Sequence, residues 1–131
     1  MENRFRDVIE LIRRSRANAI RTVNAELIGL YWNIGRYISK RIESAEWGQS
    51  VISELAKDII RNEPGSRGFS DKNLWRMKQF YEAYADQPIL SSLVKQISWT
   101  NNTTILSSTR TLEEREFYIR MCIHERYSSR E

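Results

Sequence analysis

WGQSVISELAKDIIRNEPGSRGFSDKNLWRMKQFYEAY, residues 47–84, decides the fold class. It reads as two amphipathic helices joined by a loop carrying Gly65 and Gly68. Over residues 49–62, Val51, Ile52, Leu55 and Ile59 recur at helical spacing on one face. Pro64 and Gly65 stop that helix. Ser70 is suited to N-cap the second helix, and Asp71 in its first turn complements the dipole. Leu74, Met77, Phe80, Tyr81 and Tyr84 share one arc. Lys72, Arg76, Gln79 and Ala83 fall on the opposite stripe, with Trp75 at its border. Between Ser66 and Tyr81, four basic residues (Arg67, Lys72, Arg76, Lys78) stand against one acidic residue, Asp71. That stripe reads two ways: as a solvated charged face, or as the outer surface of a nucleic-acid-binding module.

The chain around this stretch has 131 residues, room for a single helical domain over 1–131 with a real core. Its net charge of +4 comes from sixteen Arg and five Lys against seventeen acidic residues. Arg is the better side chain for bidentate phosphate contacts, so the composition permits a nucleic-acid partner without requiring one. With one cysteine, Cys122, no internal disulfide or CxxC metal site can form, and a reducing cytoplasm fits best. The single histidine, His124, excludes multi-histidine metal sites, so no cofactor or metal is expected. Neither a signal peptide nor a membrane-length apolar run occurs.

Residues 5–38 carry the most regular periodicity. Phe5, Ile9, Ile12, Ala19, Ile20, Val23, Leu27, Leu30, Ile34 and Ile38 fall on one stripe at 3.6 residues per turn, weakened only by Gly29 and Gly35. A continuous helix to Glu43 would be about 58 Å long, against a domain diameter of about 36 Å. Either it breaks near Ser15–Asn18, where Arg16 interrupts the stripe, or its first half packs on a second chain. The second alternative predicts a homo-oligomer, most simply a dimer. Arg13, Arg14 and Arg16 read as solvated residues, partners for Glu10, or phosphate contacts. Tyr31, Trp32, Tyr37 and Trp47 read as core.

Pro88 is well placed to open a helix, in which Leu90, Leu93, Val94 and Ile97 lie on one face. Ser98 then caps a short helix over WTNNTTILSS, with Trp99, Thr103 and Leu106 inward and Asn101, Thr104 and Ser108 outward. Two short helices with a tight join form a helix-turn-helix-like unit whose second helix could read base edges. Asn suits bidentate contact with adenine, and Thr can touch thymine methyls. Phosphate contacts would come from Lys95, Arg110 or the Arg67–Lys78 region. Thr111 to Glu114 is a T-x-x-E capping box opening a last helix. That helix is apolar on two sides: Leu112, Ile119, Ile123 and Tyr127 on one, Phe117 and Met121 on the other. Such a helix belongs in the centre of a core or between subunits.

Nothing in the chain argues for catalysis. Cys122 and His124 are two residues apart and do not face each other on a helix, so they read as a small buried hydrophobe and a core-edge histidine. The acidic residues pair with neighbouring bases or sit in first turns, and GSRG lacks the lysine and spacing of a P-loop.

LYWNIGRYISKRI, WGQSVISELAKDI, GFSDKNLWRMKQFYEAY, ISWT and TLEEREFYI, spread from Leu30 to Ile119, resemble the YhcG-like proteins of bacteria. Those join an N-terminal helical domain to a C-terminal nuclease domain of the PD-(D/E)XK superfamily. The resemblance covers the N-terminal domain only, and the acid–acid–lysine constellation for Mg²⁺ has no counterpart here. Where the family tends to have a histidine after S-W-[ST], this chain has Asn101. What the resemblance implies is a non-catalytic DNA-binding or targeting and oligomerising domain of a nuclease-like protein. The expectation is therefore an all-α fold of five or six helices binding double-stranded DNA through Arg67, Lys72, Arg76, Lys95, Asn101 and Thr104. The rival expectation is a dimerisation module without direct nucleic-acid contact.

Overall fold

The computed structural model describes residues 3–128, with side chains from Val8 to Glu125 other than Leu11. Phe5 and Tyr127, assigned to apolar faces above, lie outside the described side chains. The fold is all-α, with six helices and no strand among the described residues. In order they are α1 (Asn3–Glu43), α2 (Gln49–Asn62), α3 (Asp71–Tyr84), α4 (Pro88–Leu93), α5 (Trp99–Ser108) and α6 (Leu112–Ser128), with a 3₁₀ turn at Val94–Gln96 between α4 and α5.

Each boundary follows from local chemistry. α1 closes with Glu46 N–H bonding the Arg41 carbonyl at 3.0 Å and Ala45 N–H that of Ile42, with Ala45 at φ 61°. This is a Schellman arrangement in which alanine stands where glycine is usual. Ser70 Oγ accepts from Asn73 N–H at 3.1 Å and Ser98 Oγ from Asn101 N–H at 3.0 Å, capping α3 and α5 as expected. At α6, Thr111 Oγ1 accepts from Glu114 N–H while the Glu114 carboxylate accepts from Thr111 N–H, the reciprocal pair of a capping box.

α1 does not break. Its 41 residues run unbroken through Ser15–Asn18, about 60 Å at 1.5 Å per residue. Its faces differ in burial. The core side carries Ile28, Tyr31, Gly35, Ile38 and Ser39, all buried. The regular apolar stripe is largely exposed: Ile12, Val23 (67% exposed), Leu27 and Leu30 lie about 100° round the helix from the buried face. Only at Ile34 and Ile38 does the stripe run into the core.

α1 and α3 cross closely because Gly35 has no side chain. A Cβ there would lie 2.0 Å from the Met77 carbonyl oxygen. Gly35 is thus a packing requirement and not merely a weak helix former. Around the crossing, Trp32 meets the edges of Phe80 and Tyr81, and Tyr31 and Phe80 both meet Trp99. Such aromatic pairs add about 1 kcal/mol each to what burial supplies. Asn24 donates to the carbonyls of Lys95 (3.1 Å) and Ile97 (3.0 Å), clamping the α4–α5 turn onto α1. The buried residues of α1 to α6 form one cluster.

α6 is not central in the core. Ile119 is buried and Cys122 and Ile123 are half-buried, but Leu112, Phe117, Tyr118 and Met121 are exposed. Tyr37 is also exposed, resting on Trp47 with Arg41 over its ring, whereas Tyr31, Trp32 and Trp47 do join the core. His124 is exposed rather than at a core edge.

Candidate nucleic-acid interface

Lys72 and Arg76 stand one turn apart on the outer stripe of α3, both exposed. Beside them the loop bearing Arg67 is fixed by Asn73. The Asn73 amide donates to the Gly68 carbonyl, and its oxygen accepts from Trp99 Nε1 at 2.9 Å. Gly68 adopts φ +86°, and its hypothetical Cβ would sit 3.1 Å from Tyr31 Oη, so backbone freedom and close approach both call for glycine. Arg67 is exposed on this loop. Lys78 does not belong to the basic stripe. It is half-buried, bonds Glu82 at 2.9 Å and lies over Trp75, while Ser39 donates to the other Glu82 oxygen at 2.8 Å. Ala83, assigned to the outer stripe, packs against the core.

The Asn73–Trp99 bond also joins the first turn of α3 to the first turn of α5. On α5, Asn101 and Thr104 are exposed with Thr100 and Ser108, and Thr103 is half-buried, as the sequence indicates. Asn102 was missed. It is fully buried and donates to the carbonyls of Val94 (3.0 Å) and Ser98 (3.1 Å), holding the turn that presents α5. Two adjacent asparagines thus meet opposite surroundings, one exposed and one buried, decided by their place on the helix.

Lys95 is set apart from the other five. It lines an open concavity with Ala25, Glu26, Gly29, Leu30 and Asn33 of α1. The site residues divide into Arg67, Lys72 and Arg76 around α3, Asn101 and Thr104 on α5, and Lys95 against α1. Arg110, exposed just after α5, donates its backbone N–H to the Glu114 carboxylate at 3.4 Å.

A second basic surface went unread in the sequence. Asn33, Arg36, Tyr37 and Lys40 line an open concavity of about 600 Å³ with Arg41, Ser44 and one acid, Glu46, and it shares Asn33 with the Lys95 concavity. The signal was available: positions 29, 33, 36, 40 and 44 repeat at three- and four-residue spacing without an acid. Arg41 is committed elsewhere. It bonds Glu46, whose carboxyl is held below its usual range by that contact, and the Tyr37 hydroxyl at 3.0 Å.

Two titratable groups lie in or against the core. Burial pushes the Tyr84 phenol up to about 12, the charge of Arg115 opposing, and its hydroxyl is buried without a hydrogen-bond partner among the described residues. Burial, then Glu125, pushes the Cys122 thiol up, away from the thiolate a nucleophile needs. Among the described residues no group of three or more His, Cys, Asp or Glu could hold a metal ion. No helix among them is long and apolar enough to cross a membrane.

The fold is thus a helical module with basic outer surfaces on α1 and α3 and a polar face on α5. Residues 7–131 match the DUF1016 N-terminal domain, and the chain belongs to that family. Among curated proteins it is similar to one of Escherichia coli (strain K12) named "Putative nuclease YhcG", 36% identical over 78 residues. The match takes in 56% of this chain and 20% of that relative, so the chain spans a small part of the relative's length. No solved structure matches.

Proposed function

We propose that residues 1–131 form a single non-catalytic domain that binds duplex DNA and targets a nuclease-associated protein to it, in the cytoplasm. Arg67, Lys72 and Arg76 contact phosphates. Asn101 and Thr104 approach base edges from α5, the second helix of a helix-turn-helix-like unit formed by α4, the 3₁₀ turn and α5. The observation that carries this is the Asn73 linkage, which fastens the Arg67 loop, the Lys72–Arg76 helix and the first turn of α5 to one another. Lys95 contributes from the α1 side.

With about four phosphate contacts, the slope of log affinity against log salt should be near −3.6. Replacing Lys72 and Arg76 with Glu should abolish duplex binding while thermal stability stays nearly unchanged, since exposed charges contribute little to it. A flat salt response contradicts the proposal. Binding lost in Arg36→Glu/Lys40→Glu but kept in the Lys72/Arg76 pair moves the interface to α1. Metal-dependent cleavage by the purified chain contradicts the non-catalytic assignment.

A second reading, self-association, rests on the exposed stripe Ile12, Val23, Leu27 and Leu30 of α1. Isolated exposed apolar residues need no explanation, but a row of them at helical spacing marks an interaction face.

A further inference from the structure

We infer that α1 pairs with α1 of a second copy in antiparallel register, about a two-fold axis near position 21. The inference rests on the self-association reading and adds orientation and register to it. The stripe runs through half-buried Ile9, exposed Ile12, Arg16, Ala19, Val23, Leu27 and Leu30, and Ile34 where it meets the core, spaced by alternating threes and fours with one extra residue before Leu27. That is the seam of a two-stranded coiled coil with one stutter. Residues 12–16, 18–20, 22–23, 26–27 and 30 are all exposed, so the seam is open over about five turns.

Charge decides the orientation. One seam position holds Arg16, and Glu26 occupies the nominal seam position beside Leu27. In a parallel, in-register pair Arg16 would face its own copy, a like-charge layer, and Glu26 would flank its own copy at the seam's edge. In the antiparallel pair centred near 21, Ile12 lies opposite the second copy's Leu30, Ala19 opposite its Val23, and Arg16 opposite its Glu26. The Ile12–Leu30 and Ala19–Val23 layers stay apolar and Arg16 meets Glu26, while Leu27 falls opposite Ser15 and Ile9 opposite Asn33 at the flanks. A polar layer within an apolar seam is also what fixes register.

The globular parts agree with this. The core grips α1 from Asn24 onward, on a face about 100° from the seam. Antiparallel pairing puts the two bodies at opposite ends, each beside the projecting half of the other copy's helix. Parallel pairing would bring both bodies to one end.

The test uses the full chain. With Cys122→Ser as background, Ile12→Cys chains are mixed with Leu30→Cys chains and oxidised. The antiparallel pair gives the mixed 12–30 disulfide, because opposed seam positions bring Cα atoms within the roughly 4.4–6.8 Å a disulfide spans. Independently, with Cys122 intact, Arg16→Glu or Glu26→Arg alone should weaken dimerisation at least about tenfold by sedimentation equilibrium. The double exchange should recover it to within about threefold, since it restores opposite charges across the seam. Predominant 12–12 and 30–30 disulfides, or no recovery in the double exchange, overturn the antiparallel register and leave self-association standing. A monomeric parent chain at 100 μM overturns both. DNA binding is unaffected by any of these outcomes.

Discussion

The two halves of α1 share one periodicity and meet different fates. From Asn24 to Glu43 the helix is gripped: Asn24 bonds the α4–α5 turn, Gly35 touches α3 backbone, and Ile28 and Ile38 are fully buried. Before Asn24 it projects, with Ile12, Ile20 and Val23 exposed. The stripe that looks most like a core face from the sequence is the one facing outward. A regular apolar row identifies a face that must be covered, but not what covers it. The face that builds this fold is less regular because it includes Gly35 and Ser39, chosen for close approach and for a bond to Glu82.

The sharpest way to break the gripped half is Gly35→Ala. The new methyl would meet Met77 backbone that cannot swing aside, and we expect a loss of about 3 kcal/mol or more in chemical denaturation. Ile28→Ala should cost about 3 kcal/mol, within the range for a buried aliphatic truncation. The same truncation at exposed Val23 should leave monomer stability within about 0.5 kcal/mol. Equal losses at the two positions would erase the distinction.

The core also carries a pH signature. Tyr84 ionises near 10 when unfolded and is pushed to about 12 by burial when folded. Its stabilisation is therefore complete below pH 10 and lost as pH rises from there toward 12, on the order of 2 kcal/mol in all. Tyr84→Phe should remove that share of the alkaline decline, measured by thermal melts at stepped pH. Opposite in sign is Gly29→Ala: nothing lies within 4 Å of its hypothetical Cβ, so helix propensity alone should add about 1 kcal/mol.

Much of the fold was legible in the sequence because its boundaries are set locally. Ser70, Ser98 and the Thr111–Glu114 box cap where their chemistry says they should, and α2 spans Gln49–Asn62 as its pattern indicates. What was not legible depends on neighbours distant in the chain. Lys78 reads as a surface cation until Glu82 and Trp75 are placed around it. Lys95 reads as a companion of α5 until Asn24 draws its turn onto α1. Arg36 and Lys40 escaped notice because the apolar row beside them took the reading of that helix. Of the candidate site, which residues are exposed was readable; which of them share a surface was not.

The central claim is that α1 has one face for its own core and another for a second copy. Sedimentation equilibrium of the parent chain and of Val23→Glu/Leu27→Glu, each at 100 μM, tests it most directly. The account predicts about twice 15.6 kDa for the parent and a folded monomer for the variant. A parent that sediments as a monomer, or a variant that remains a dimer, would contradict it.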